Sequence, residues 1–173
     1  MKRNIFVLLA LLCSSLAFAA GLKVTSGSGK FLKDEGTMAV TFNWANATYG
    51  DDGKSLKDEW KGDYQGNIKS GEEFFLNGFN EKSKKLKAKE ASKTKNAQYS
   101  MTVNVKKIDY FFSAMSFVPG HKFTIWADVI VKDASGKEVC VVTATRFKGG
   151  RDFVRLDAYT EMMEDFGKNL ANL

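Results

Sequence analysis

The sequence predicts an α+β fold of two layers, a mainly antiparallel or mixed sheet with two amphipathic helices on one of its faces. Three observations lead there. Apolar residues alternate with polar ones, the period of a half-buried strand, over residues 38–44, 99–112, 122–132 and 138–147. Two other stretches, residues 71–89 and the last 17 or so, carry apolar side chains three and four residues apart, the spacing of a helix with one buried stripe. Helices and strands of this kind bury their apolar sides only against each other.

In chain order, residues 21–33 read as a short extended arm through Leu22 and Val24, a turn at Ser26-Gly27-Ser28-Gly29, and the pair Phe31-Leu32. The first full strand puts Met38, Val40, Phe42 and Trp44 on one face and runs out into a turn at Asp51-Asp52-Gly53. A short helix over residues 55–63 follows, with Leu56 and Trp60 one turn apart. The first long helix is expected over residues 71–89, capped by Ser70, with Glu72 and Glu73 in its first turn and a lysine-rich tail. After a polar loop, residues 99–112 form a long strand. Met101, Val103 and Val105 share one phase and Ile108, Tyr110 and Phe112 the other, so a bulge is expected at Lys106-Lys107. A loop over residues 113–120 leads to the clearest strand, with Phe123, Ile125, Ala127, Val129 and Val131 in phase. Asp133-Ala134-Ser135-Gly136 turns it back into residues 138–147. Gly149-Gly150 is read as a break, Asp152 as a cap, and Leu156, Tyr159, Met163, Phe166, Leu170 and Leu173 as the stripe of a final helix. That stripe is expected against the sheet.

The first 19 residues have the three parts of a secretory leader. Lys2 and Arg3 are basic, residues 5–12 are apolar, and Ala17-Phe18-Ala19 supplies the small residues that a signal peptidase reads. The division expected is a leader at 1–19 and one domain over 20–173. The apolar run is too short to cross a bilayer, which takes about 20 apolar residues. An exported chain, periplasmic or secreted, is the expectation. Of the 173 residues 44% are hydrophobic and 13% aromatic, ample for a core and unlike a disordered chain. The formal charge of +6 falls to +4 when Lys2 and Arg3 leave with the leader. Cys13 leaves too, so Cys140 stays alone and no disulfide is expected within the mature domain.

From residue 38 to the end the arrangement resembles a set of bacterial envelope proteins of unknown function. The matching residues are Val129-Ile130-Val131-Lys132-Asp133-Ala134-Ser135-Gly136-Lys137-Glu138-Val139, then Gly149-Gly150, then the final helix from Asp157. The pattern is also similar to the N-terminal domain of TolB and the periplasmic domain of the curli-secretion lipoprotein. Residues 42–49 resemble the first strand of secreted proteins of Bacteroides-type gut bacteria. The resemblance implies envelope assembly and protein–protein contact, and brings no catalytic residues with it. The lipid-attachment cysteine common in such proteins is missing here.

Motifs for chemistry are sparse. Asp51-Asp52-Gly53 with Asp58 and Glu59 lacks the spacing of a calcium loop, and Gly27-Ser28-Gly29-Lys30 lacks that of a phosphate loop. His121 is the one histidine, and no Gly-x-Ser-x-Gly elbow accompanies it. No catalytic, metal or cofactor site is expected, and no nucleic-acid motif is present. Two groups remain. Trp44, Tyr49, Trp60 and Trp126, with Tyr64 and Phe111, are the aromatic residues most available for a partner or ligand. Lys84, Lys85, Lys87 and Lys89 are candidates for an anionic envelope surface, on a helix end that is otherwise simply solvated. The leading expectation is therefore a non-enzymatic envelope module that acts by contact with another envelope protein. The alternatives are a small-ligand or glycan binder using exposed aromatic rings, and a hydrolase with an atypical site.

Overall fold

The computed structural model describes residues 21–113 and 119–173. The expected leader lies outside the described residues, as does most of the loop before Gly120. Among the described residues eight strands form one open, mixed sheet: β1 (Leu22–Gly27), β2 (Gly36–Asn43), β3 (Thr48–Tyr49), β4 (Lys54–Ser55), β5 (Leu86–Glu90), β6 (Tyr99–Ser113), β7 (Gly120–Asp133) and β8 (Glu138–Asp152). The strand order is β1-β8-β7-β6-β2-β5, with β3 beside β6 and β4 beside β3. Helices α1 (Leu56–Trp60), α2 (Tyr64–Lys82) and α3 (Arg155–Leu170) complete the fold. The two long helices pack on each other and on one face of the sheet, so the domain is the two-layer α+β fold expected.

The strands β6, β7 and β8 pair antiparallel in sequence order, as a meander. The pairing of β6 with β7 slips between Val105 and Lys107, where the apolar phase of the sequence switches. That extra residue lets Val105 and Ile108 both face the helices, 3% and 0% exposed. In contrast, β2 is parallel to both β5 and β6. Parallel neighbours need a crossover, and α1 and α2 supply it between β2 and β5.

The first long helix differs from its expectation at both ends. It begins at Tyr64, so Ser70 lies within it and caps nothing, and it stops at Lys82. Ser83 is extended, with ψ 117, and its hydroxyl donates to the Leu86 carbonyl at 2.6 Å. From there the chain has strand period: Leu86 and Ala88 are buried, Lys87 and Lys89 exposed. The lysine-rich helix tail is thus an edge strand. An open edge invites pairing with other chains, and Asn80 covers this one. Its amide donates to the Ala88 carbonyl and its oxygen accepts the Ala88 N–H, both at 2.8 Å, as a neighbouring strand would. With about 1 kcal/mol net per hydrogen bond, Asn80→Ala is expected to lower stability by about 2 kcal/mol. Urea unfolding followed by circular dichroism measures it; an unchanged midpoint would show that Asn80 is a bystander.

At the other end of the chain, Gly149 and Gly150 do not break the structure, since β8 runs through them to Asp152. Gly150 has φ +63, and a Cβ there would lie 1.9 Å from the Ala158 carbonyl oxygen. Glycine at this point lets the strand touch α3, and the break read from sequence is a close approach instead. Val154, not Asp152, is the cap residue of α3, although the Asp152 carboxylate accepts the Val154 N–H at 2.8 Å. Along α3, Tyr159, Met163, Phe166 and Leu170 are buried as the stripe requires, whereas Leu156 is exposed. The aromatic centre of the core joins Phe75 of α2, Phe166 of α3 and Phe147 of β8, with ring centroids 5.5 and 5.3 Å apart.

Candidate functional site

The four aromatic residues singled out in the sequence do not form one surface. Trp44 is 8% exposed on the helix side, stacked on Phe42, and its indole N–H donates to Glu72 at 2.8 Å. Burial holds the Glu72 carboxyl above the usual carboxylate range, and this bond opposes the shift in part. Trp60 is equally buried, edge-on to Tyr159 at 5.0 Å. Both indoles are core residues, because strand phase and helix spacing turn them inward. Trp126 is half-buried on the opposite face, where the Lys107 ammonium lies 4.7 Å from its ring centre. The aromatic surface expected around Trp44 and Trp126 is therefore split between two faces of the sheet.

Tyr49 takes part in a different construction. Arg155, in the first turn of α3, donates to its hydroxyl at 2.5 Å and to Glu59 at 3.3 Å, and lies 4.8 Å from the Tyr110 ring centre. It fastens the β3 and α1 region to the start of α3. Beside it a cleft of about 650 Å³ is lined by Glu59, Trp60, Asp63, Ser70, Arg155 and Tyr159. Tyr159 is 1% exposed, and its hydroxyl has no hydrogen-bond partner among the described residues. Gly71 makes the room for it, since a Cβ there would lie 2.2 Å from that oxygen. A buried hydroxyl without a partner is a burden of about 1–3 kcal/mol. Tyr159→Phe is expected to be at least as stable as the parent in thermal melts; a clear loss would mean that the hydroxyl is satisfied.

The lysines Lys84, Lys85, Lys87 and Lys89 are all exposed, but they serve different ends. The Lys87 ammonium donates to the carbonyls of Asn80 and Ser83, at 3.0 and 2.6 Å, where α2 terminates and its free carbonyls favour a cation. Lys84 and Lys85 stand in the link between α2 and β5. Only Lys89 adds to a larger basic surface described below. The remaining pair, His121 and Cys140, lies at opposite ends of β7: His121 is opposite Phe112 and Asp152, and Cys140 is opposite Val131. Cys140 is fully buried and burial pushes its thiol up, while His121 Nδ1 is 2.6 Å from the Tyr110 hydroxyl.

What does come together is an apolar end of the sheet. Phe111 and Phe112 close β6, Phe153 and Val154 follow β8, and Leu156 opens α3. They are 64%, 48%, 71%, 54% and 43% exposed. Cross-strand pairing brings Phe112 and Phe153 to the same end of the sheet, since Phe112 is opposite His121 and His121 is opposite Asp152, the residue before Phe153, while Phe111 opposes Lys122 on the other face. A row of rings leads inward from this end: Phe112, His121, Tyr110, Phe123, Tyr159 and Trp60, each 4.9 to 5.6 Å from the next. Apart from Phe111, the sequence reading missed this set. Its signal was present in Phe111-Phe112, which puts apolar groups in both strand phases at once, and in Phe153-Val154 between a strand and a helix.

No family model matches the chain, and no curated protein does. Among solved structures it is similar to the PelC dodecamer from Paraburkholderia phytofirmans, with 16% identity and a TM-score of 0.47 over 86% of this chain and 96% of that one. It is also similar to a single-substitution variant of that dodecamer in another crystal form, with 16% identity and a TM-score of 0.43 over 86% of this chain and 95% of that one. Among the described residues no helix is long and apolar enough to cross a membrane.

Proposed function

We propose that this chain is a non-catalytic module of the cell envelope that works by holding another envelope protein against the apolar end of its sheet. One observation carries the reading: five large apolar side chains are exposed around the end of the sheet where β6 and β8 run out and α3 begins, Phe111 on the open face and Phe112 on the helix side. Scattered exposed apolar residues are ordinary, but a contiguous group is characteristic of an interaction surface. The group stands on long paired strands and a helix start, so it is held in place before a partner arrives. That arrangement favours contact over chemistry, and the secretory leader read from the sequence supports a contact in the envelope.

The test is capture from an envelope fraction after crosslinking, with Phe112→Ser/Phe153→Ser beside the parent. Both rings are exposed, and the double variant is expected to melt close to the parent. The parent should retain a discrete protein that the double variant loses. Phe74→Ser, which removes an exposed ring on α2 that is not one of the five, should retain it. Equal capture by the double variant, or none by the parent, would refute the reading.

A further inference from the structure

The face of the sheet turned away from the helices is open, and its charge has one sign in excess. Along β6, β7 and β8 the inward residues are buried, and the alternate ones include Thr102, Thr124, Thr143, Lys122, Lys132 and Lys148 beside Asn104, Asp109, Trp126, Asp128, Ile130 and Val141. The helix layer has the opposite balance, with Asp157, Glu161, Glu164 and Asp165 on α3 alone. Two cations of the open face are engaged: Lys106 with Asp128 at 2.5 Å, and Lys107 with Asp51 and, at 3.8 Å, with Asp109. Among the described residues Lys89, Lys122, Lys132, Lys148 and Arg146 take part in no ion pair.

Near the apolar end this face dips into an open depression of about 840 Å³, whose lining includes Phe111, Lys122, Thr124, Arg146 and Lys148. Its lining also holds the carboxylates of Asp51, Asp109, Glu161 and Asp165 and the cation Arg151. Asp51 and Asp109 share Lys107, Glu161 accepts the Arg151 N–H at 2.9 Å, and Asp165 accepts the Gly150 N–H at 3.3 Å. Of the cations there, Lys122 and Lys148 form no ion pair among the described residues, and Arg146 acts on Asp51 only at a distance. Next to them on β7 stands Trp126, with an irregularity in each neighbouring strand. On one side β6 bulges after Val105; on the other β8 inserts Thr145 and Arg146 between the partners of Ala127 and Ile125. Arg146 is held there at φ +54, a conformation that disfavours side chains with a Cβ and is kept only where the surroundings enforce it. Bulges of this kind re-aim side chains beside binding sites.

We propose that this depression and the sheet face beyond it bind a linear acidic glycan. Its carboxylates meet Lys122, Arg146 and Lys148, a sugar ring lies against Trp126, and the threonine hydroxyls exchange hydrogen bonds with its hydroxyls. The unpaired lysines continue along the face to Lys132 and Lys89, so the attraction extends along a chain and is not confined to one group. A single-stranded nucleic acid would want successive aromatic rings for its bases, and the interior of this face has one, Trp126. A lipid surface would want a row of protruding apolar groups, whereas Ile130 and Val141 are half-buried between their neighbours and Phe111 protrudes at the end of the face. This inference shares Phe111 with the apolar end but rests on the cations and Trp126.

The test uses the mature chain and polygalacturonate, a linear uronic-acid polymer, with titration calorimetry. Binding should weaken at least about tenfold between about 50 and 500 mM salt, because exposed charges are screened. Lys122→Glu/Lys148→Glu should weaken it by about tenfold or more. Lys57→Glu/Lys69→Glu, which makes the same change of net charge on the helix side, should leave it within about twofold of the parent. Phe153→Ser should keep the polymer, so the two proposals fail separately. No binding of the polymer would overturn the inference, and so would equal weakening by both charge reversals. Tighter retention of an oligo-dT strand or of phosphatidylglycerol vesicles than of the polymer would overturn it as well.

Discussion

Gly167→Ala is expected to lower the unfolding free energy by about 3 kcal/mol, although alanine is the better helix former by about 1 kcal/mol. Where α2 and α3 cross, the two helices meet backbone to backbone. A Cβ on Gly167 would lie 2.1 Å from the Phe75 carbonyl oxygen, and one on Gly78 would lie 2.1 Å from that of Glu164. The obstacle in each case is main chain, which cannot rotate away as a side chain can, so a methyl group forces the helices apart. Gly66→Ala is the control. It lies in α2 with nothing within 4 Å of its Cβ position, and should stabilise the protein by up to about 1 kcal/mol. Urea unfolding of the two variants separates close approach from helix propensity: midpoint shifts of opposite sign are expected, the one for Gly167→Ala the larger, and a stabilising Gly167→Ala would contradict the backbone crossing.

Phe166→Ala should be costlier still, at about 4 kcal/mol. The ring is fully buried, edge-on to Phe75 at 5.5 Å and tilted on Phe147 at 5.3 Å, so one side chain ties both long helices to the sheet. Its neighbour Gly167 holds the helices at backbone contact, and a site clamped in this way has little freedom to collapse around a cavity. That places it toward the upper part of the range for losing an aromatic ring. Phe153→Ala, with 71% of the residue exposed, should change the midpoint little. Comparable losses in the two variants would mean that the aromatic centre is not where the stability resides.

The strands of the meander, the bulge at Lys106-Lys107 and the hairpin at residues 133–136 were legible because each is a local property. Period-two alternation and a phase switch survive whatever the rest of the chain does. Strand β5 was not legible. Leu86-Lys87-Ala88-Lys89 alternates over too few residues, and it continues the helical spacing of Phe75, Phe79 and Lys82, so periodicity alone could not end the helix at Ser83. Its ends are decided by Asn80, which binds Ala88 from one turn before the helix stops, and by the parallel partner β2. Gly149-Gly150 was misread for a related reason. Glycine spells a turn in sequence, whereas here it admits α3 to within contact of β8.

For the surfaces the division is sharper. The residue pattern by itself determined the two-layer fold and the inward and outward phases of the long strands, because these follow from side-chain period and composition. Which indoles were buried, that five apolar side chains meet at one end, and that lysines distant in sequence share one open face were decided by tertiary structure alone. The physical reason is that a strand reports which of its own residues point the same way, but its neighbours and the layer above it depend on pairings made by residues far away along the chain.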